Sequence, residues 1–214
     1  MNKDYLNHYY KDDQKVLSNR KEIAFRFLDF EYKFETADNV FSKDHVDEGT
    51  KLLIETALDS GINSEVLDYG CGYGVVGIIL SKLGYDTLGL DVTDRALELS
   101  AINNQKNNTA FKAYKVDDLN IYKDRFKTIL LNPPIRAGKV VIYEMFDNCQ
   151  KMLASGGQLY VVIRKQHGAA SAIKHLQTLF TNVEVIKKSK GFYIIKNFLD
   201  WQFDKIVIIW LNVW

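Results

Sequence analysis

Three features of this 214-residue chain predict an α/β fold, an open and mostly parallel seven-stranded sheet with helices on both faces. From Glu65 onward, short β-like runs alternate with helical stretches, the pattern of βαβ units. The first of those runs ends in a glycine-rich turn, Gly70-Cys71-Gly72-Tyr73-Gly74, that opens a helix. The last two runs, Val183-Glu184-Val185-Ile186-Lys187 and Phe192-Tyr193-Ile194-Ile195-Lys196, are separated only by Lys188-Ser189-Lys190-Gly191. That gap is too short for a crossover helix, so the two runs form a C-terminal antiparallel hairpin beside five parallel strands.

Taken in order, residues 1–43 read as an N-terminal arm and β extension. The first part is polar with scattered Tyr5, Tyr9 and Tyr10, and Ile23 to Glu35 then alternate apolar and polar with aromatic enrichment, as one or two antiparallel strands do. Val46, Leu52, Leu53, Ala57 and Leu58 keep a helical spacing, with Ser42 or Asp44 available as N-cap and an end near Ser60-Gly61. The parallel strands are expected at Val66–Asp68, Thr87–Asp91, Ala110–Tyr114, Thr128–Leu131 and Gln158–Ile163, within a core of residues 44–198. Residues 199–214 hold Trp201, Trp210 and Trp214 around Ile206-Val207-Ile208-Ile209 and read as a tail of unassigned role.

Composition sets the class. Hydrophobic residues at 47% and charged residues at 26% are those of a globular protein. The polar first residues carry no signal-peptide core, and the run Ile206–Leu211 is too short to span a bilayer. Two cysteines, Cys71 and Cys149, cannot build a disulfide framework and fit a reducing cytoplasm. No Cys/His metal spacing occurs. The net charge of +1 hides an asymmetry: residues 34–111 carry 5 Lys+Arg against 13 Asp+Glu, residues 112–196 carry 15 against 6. A basic half fits a polyanion such as RNA, although lysines that only solvate helices give the same count.

The chemistry gathers at strand ends. Asp68 stands directly before Gly70, Gly72 and Gly74, and Asp91 ends the next strand, placed to accept hydrogen bonds from ribose hydroxyls. Gly72, Gly74 and Gly77 also fit a dinucleotide fingerprint, but a carboxylate at Asp68 would repel a pyrophosphate and suits the ammonium and sulfonium of S-adenosylmethionine. Cys71 needs only to be small there. After the fourth strand comes Asn132-Pro133-Pro134-Ile135. Two prolines cannot continue a ladder, so the chain leaves the sheet stiffly at Asn132 and aims its amide into the crevice where α/β folds bind ligands. Read alone, the tetrapeptide also fits a loop whose Asn caps the next helix.

These motifs, with Tyr9-Tyr10, Val40-Phe41-Ser42-Lys43, Asp47-Glu48-Gly49-Thr50 and Asn132 to Lys139, resemble the small-domain family of class I S-adenosylmethionine-dependent methyltransferases, which includes bacterial small-subunit ribosomal RNA guanine-N2 methyltransferases. The resemblance covers roughly residues 8–197. It implies a Rossmann-like fold in which Asp68, Gly70, Gly72 and Gly74 hold the methionine end of S-adenosylmethionine, Asp91 the ribose, and Asp118 with Leu119 the adenine edge. Asn132 with Pro133 would border the cofactor and hold the target amine. Pro134, Ile135, Arg136 and Lys139, with Arg164 and Lys165 after the fifth strand, would form a basic mouth for ribosomal RNA or the small subunit. Lys127 departs from the family's acidic residue before the fourth strand, and no part of the chain matches the N-terminal domain of some ribosomal RNA members. Adenine N6 or a glutamine amide fits the same device. A non-catalytic RNA-binding module and an NAD-dependent oxidoreductase are the other classes, and cofactor titration separates them.

Overall fold

The computed structural model describes residues 20–200 apart from 39 and 41. The polar arm, Phe41 and the Trp-rich segment from Trp201 lie outside the described residues.

A two-stranded antiparallel hairpin comes first, β1 (Lys21–Phe27) and β2 (Phe30–Thr36). There follow α1 (Glu48–Asp59), β3 (Val66–Tyr69), α2 (Val75–Lys82), β4 (Thr87–Asp91), α3 (Asp94–Asn107) and β5 (Lys112–Lys115). The chain continues through β6 (Phe126–Leu131), α4 (Lys139–Met152), β7 (Leu153–Arg164), α5 (Ala169–Leu179), β8 (Asn182–Ser189) and β9 (Phe192–Phe198). The main sheet has seven strands in the order β5-β4-β3-β6-β7-β9-β8. Five are parallel, and β9 runs antiparallel to both β7 and β8. The order reverses between β3 and β6, so the crevice beyond their carboxyl ends is the topological switch point where such sheets bind ligands.

Each element follows from its residues. All of β3, Val-Leu-Asp-Tyr, is buried, as expected of a strand flanked on both sides and covered on both faces. In α4, Ile142, Phe146 and Cys149 recur at i, i+4 and i+7 and form its buried stripe. Two cores result. The hairpin packs with α1, α2 and α3 on one face of the sheet, while α4 and α5 cover the other. Cys149 is part of the second core, and burial pushes its thiol up.

Several boundaries differ from the sequence reading by a residue or more, and three of them have a visible cause. The cap of α1 is Asp47, whose Oδ2 accepts from Thr50 N at 3.0 Å, not Ser42 or Asp44. Ser42 has φ 55° in the preceding turn, and Asp44 is engaged by Lys21. Strand β5 starts at Lys112, because Phe111 instead turns inward and fills the space over Gly77 and Gly89, where a Cβ would collide with its ring. Strand β7 begins at Leu153, earlier than Gln158, and a register shift opposite Phe126 and Thr128 absorbs the extra residues.

The hairpin is bolted to α3 by two asparagines one turn apart. Asn103 accepts from Glu35 N at 2.6 Å and donates to Glu35 O at 3.0 Å; Asn107 accepts from Lys33 N at 3.1 Å and donates to Lys33 O at 2.8 Å. Asn103 Nδ2 also donates to Tyr73 O at 2.9 Å, so one fully buried amide joins the hairpin to the glycine turn. Asn103→Ala strands three backbone groups, and a loss of about 3 kcal/mol is expected. Thermal melting should fall by roughly 6–12 °C, and a surface substitution on α3 such as Gln105→Ala is the control.

Candidate active site

Parallel register brings the functional loops to one edge. Tyr69 pairs with Leu90 on one side and with Leu131 on the other, so Gly70, Asp91 and Asn132 leave neighbouring strands at the same level. Adjacent strands lie about 5 Å apart, which makes these three residues one wall.

The glycine turn follows from backbone geometry. Gly70, Gly72 and Gly74 have φ of 74°, 53° and 91°, a region in which a side chain is strained. No atom lies within 4 Å of a Cβ built on Gly72, and Met145 Cε comes within 3.4 Å of one built on Gly70. The turn is thus an open cradle bordered by α4. Gly77 has a different use: its missing side chain is occupied by the Phe111 ring, so the third glycine of the apparent dinucleotide fingerprint serves packing.

Two carboxylates flank this turn in chain and across the sheet, with different environments. Asp68 is 4% exposed and its Oδ2 accepts from Gly77 N at 3.0 Å. Burial pushes its carboxyl up to about 7; the Gly77 N–H pulls it down and the neighbouring Asp91 charge adds to the rise. Among the described residues no ammonium or guanidinium is paired with it. Asp91 is half-buried. Its Oδ2 accepts from Gly72 N at 2.9 Å and its Oδ1 from Thr93 N at 3.0 Å and Thr93 Oγ1 at 3.1 Å. Oδ1 is taken by the two Thr93 donors, while Oδ2 keeps a second lone pair for a further donor.

This donor set fits S-adenosylmethionine. A buried anion without a protein cation matches the cationic methionine end, and an oriented acceptor at the end of β4 matches a ribose diol. It does not fit a pyrophosphate, which would meet Asp68 at the first turn.

Asp118 is exposed and caps a short 3-10 turn, Leu119–Tyr122, its Oδ1 accepting from Asn120 N and Nδ2 at 2.9 Å each. Leu119 is half-buried. Both follow β5, which is tied to the site strand through Val116 N to Asp91 O at 2.9 Å.

The loop after β6 is built as its prolines dictate. Pro133 is buried, Pro134 and Ile135 are half-buried, and a 3-10 turn at Ile135–Ala137 hands the chain to α4. Asn132 Nδ2 donates to Thr50 Oγ1 at 2.9 Å. The amide is therefore held from α1, not by capping α4, and its Oδ1 takes no bond from a described residue. Thr50 lies in the Asp47-to-Thr50 motif, but no spacing could announce its contact with a residue 82 positions away.

Arg136 and Lys139 follow β6, while Arg164 ends the adjacent β7 and Lys165 follows it, so all four share the carboxyl edge. Their side chains are not all turned outward. Arg164 is half-buried with its guanidinium 4.2 Å from the Phe192 ring centroid, whereas Arg136, Lys139 and Lys165 are exposed, Lys139 Nζ lying 5.1 Å from the Tyr143 ring centroid. Lys127 is exposed near the amino end of β6, five residues before Asn132, so this departure from the family pattern is remote from the site. Cys71 is buried, and burial pushes its thiol well up, away from nucleophilic use. Among the described residues there is no helix long and apolar enough to cross a membrane, and no cluster that could hold a metal.

Comparison with known proteins agrees with this geometry. The model of the methyltransferase small domain matches residues 31–196. The uncharacterized protein YbxB of Bacillus subtilis is 40% identical over 194 residues, covering 88% of this chain and 96% of its own. The ribosomal RNA large subunit methyltransferase G of Psychromonas ingrahamii is 28% identical, covering 82% of this chain and 49% of its own. Among solved structures, the Thermus thermophilus 16S rRNA N2 G1207 methyltransferase RsmC, in complex with AdoMet and guanosine, aligns with a TM-score of 0.77 at 22% identity over 86% of this chain and 52% of that one. The chain spans about half the length of these two ribosomal RNA enzymes. This chain belongs to the methyltransferase small domain family of the class I, Rossmann-like fold, and its cofactor is S-adenosylmethionine.

Proposed function

We propose that this protein methylates an exocyclic amine of an RNA base, the N2 amine of a guanine in small-subunit ribosomal RNA. The observation that carries the reading is the Asn132 amide, fixed by Thr50 with its oxygen open, at the same level as the glycine cradle. S-adenosylmethionine bound in the cradle supplies an electrophilic methyl on a sulfonium. An aromatic amine is a poor nucleophile because its lone pair is delocalised into the ring. Asn132 Oδ1 and the Pro133 carbonyl would accept its two N–H bonds, which lets the nitrogen pyramidalise and aim the lone pair at the methyl carbon. As the N–C bond forms, the S–C bond breaks and the amine proton becomes acidic. It leaves to water, so no side-chain base is needed.

Asp68 and Asp91 would hold the two ends of the cofactor, with Asp118 and Leu119 along its adenine. Pro134 and Ile135 would give the base apolar contact, and Arg136, Lys139, Arg164 and Lys165 would meet phosphates. The names of the relatives support a ribosomal RNA substrate, and the guanosine held by the Thermus thermophilus enzyme supports guanine.

The test is transfer of tritiated methyl groups to 30S and 50S subunits and to naked 16S and 23S RNA, all from cells lacking this protein, followed by nucleoside analysis. Label in N2-methylguanosine of 16S RNA is the expected result. Label confined to 23S RNA or to another nucleoside moves the substrate, and label in protein alone overturns an RNA substrate.

A further inference from the structure

We infer that Thr50 is the positioning residue that holds the Asn132 side-chain amide against the target amine, an inference that rests on the proposed role of Asn132. The terminal torsion of an asparagine is broad, so an unrestrained amide would spread over many orientations relative to the target amine. Thr50 Oγ1 restricts that torsion by accepting from Asn132 Nδ2 at 2.9 Å, and in this orientation Oδ1 lies on the remaining open side.

Thr50 is itself held firmly. It is 8% exposed, and its backbone N–H donates to Asp47 Oδ2 at 3.0 Å, so one residue is fixed through its main chain and fixes another through its side chain. The start of α1 is in turn pressed onto β9: a Cβ at Gly49 would stand 2.7 Å from Phe192 Cε1, so only glycine allows this approach. Glu48 pairs with Lys190 of the β8–β9 turn at 2.6 Å, and Phe192 carries the Arg164 guanidinium on its other contacts. The Asp47-Glu48-Gly49-Thr50 segment thus anchors a helix start against the sheet so that a single hydroxyl meets the catalytic loop. Nothing in its role as a helix cap requires a hydroxyl at Thr50, since Asp47 binds the backbone and not the side chain.

The experiment compares Thr50→Val, Thr50→Ser and Asn132→Ala in the full chain. Valine keeps the shape and deletes the acceptor; serine restores it. Expected for Thr50→Val is a fall in kcat of about 10- to 100-fold with unchanged KM for RNA, unchanged melting temperature and unchanged S-adenosylmethionine affinity by calorimetry. Thr50→Ser should recover most of the loss. In 15N spectra, the Asn132 side-chain amide pair, identified by its absence from Asn132→Ala, should shift and broaden in Thr50→Val and return in Thr50→Ser. An unmoved Asn132 amide pair overturns the inference without any RNA substrate. So does full Thr50→Val turnover when Asn132→Ala is inactive, which leaves the Asn132 reading standing. A Thr50→Val defect that serine does not rescue, or that comes with weaker cofactor binding, reduces Thr50 to a structural part. If Asn132→Ala keeps full turnover, the reading on which the inference rests has failed.

Discussion

Asn132→Ala is expected to lower kcat by about 10²- to 10³-fold, the range seen when one preorganised polar group is removed from a site of developing charge. The effect should appear in kcat more than in KM, because the hydrogen bonds to the amine strengthen only as its lone pair localises. Alanine leaves a backbone carbonyl to hold one N–H and nothing to hold the other, so the nitrogen stays planar and its lone pair stays in the ring. S-adenosylmethionine affinity should change by no more than a few-fold, since in the proposed site Asp68 and Asp91 would supply its polar contacts from other strands. Asn132→Asp is informative beside it. The Thr50 hydroxyl can donate instead of accept, so a carboxylate oxygen still faces the amine, and activity should lie between wild type and alanine. Steady-state kinetics on the labelled RNA, with calorimetry for the cofactor, check both variants. Equal kcat for wild type and alanine would falsify the role.

The second large effect concerns Asp68 and carries opposite signs for binding and stability. Its carboxyl is pushed from 3.8 to about 7 in the folded protein, chiefly by burial. A raised carboxyl means that the native state binds a proton that the unfolded chain releases. The contribution to stability is therefore fully present below about pH 4, declines as pH rises between about 4 and 7, and is gone above about 7. At pH 8 the cofactor-free protein carries a buried anion at full cost. Asp68→Asn keeps the acceptor for Gly77 N and removes the charge, so its melting temperature should exceed that of wild type at pH 8, by on the order of 5 °C, with the gap closing toward pH 4. Cofactor affinity should move the other way. The cationic methionine end selects ionised Asp68, so wild-type affinity should weaken by about tenfold per pH unit below 7, with a proton released on binding. Asp68→Asn should lose about 100-fold or more in affinity, like other changes that unpair a buried charge, and should lose this pH dependence. Calorimetry in two buffers of different ionisation enthalpy measures the proton directly; equal heats at pH 6 would show that Asp68 is already ionised in the free protein.

Much of this molecule is local information. Alternating short apolar runs and helical stretches are periodic over a few residues, so the five parallel strands and the closing hairpin could be read from spacing alone. The glycine turn with Asp68, the carboxylate at Asp91 and the double proline after Asn132 are also contiguous strings whose chemistry depends on neighbours in sequence. Element edges were less legible. Phe111 reads as a strand residue because it is apolar beside Lys112-Ala113-Tyr114, yet it leaves the ladder to fill the hollow made by Gly77 and Gly89. The cap of α1 belongs to Asp47, because that residue's carboxylate alone comes into line with the Thr50 N–H.

The alternating pattern and the two motif strings, by themselves, determined the fold class and the kind of cofactor, and they marked the loop proposed to face the target. Only the tertiary structure decided how that loop is held. Thr50 meets Asn132 across 82 residues, Asn103 reaches Glu35 across 68, and Arg164 rests on the ring of Phe192, its register partner on β9. Such contacts join side chains on segments that come together only when the sheet closes, and one hydrogen bond between distant segments imposes no period and no neighbouring residue type on either of them.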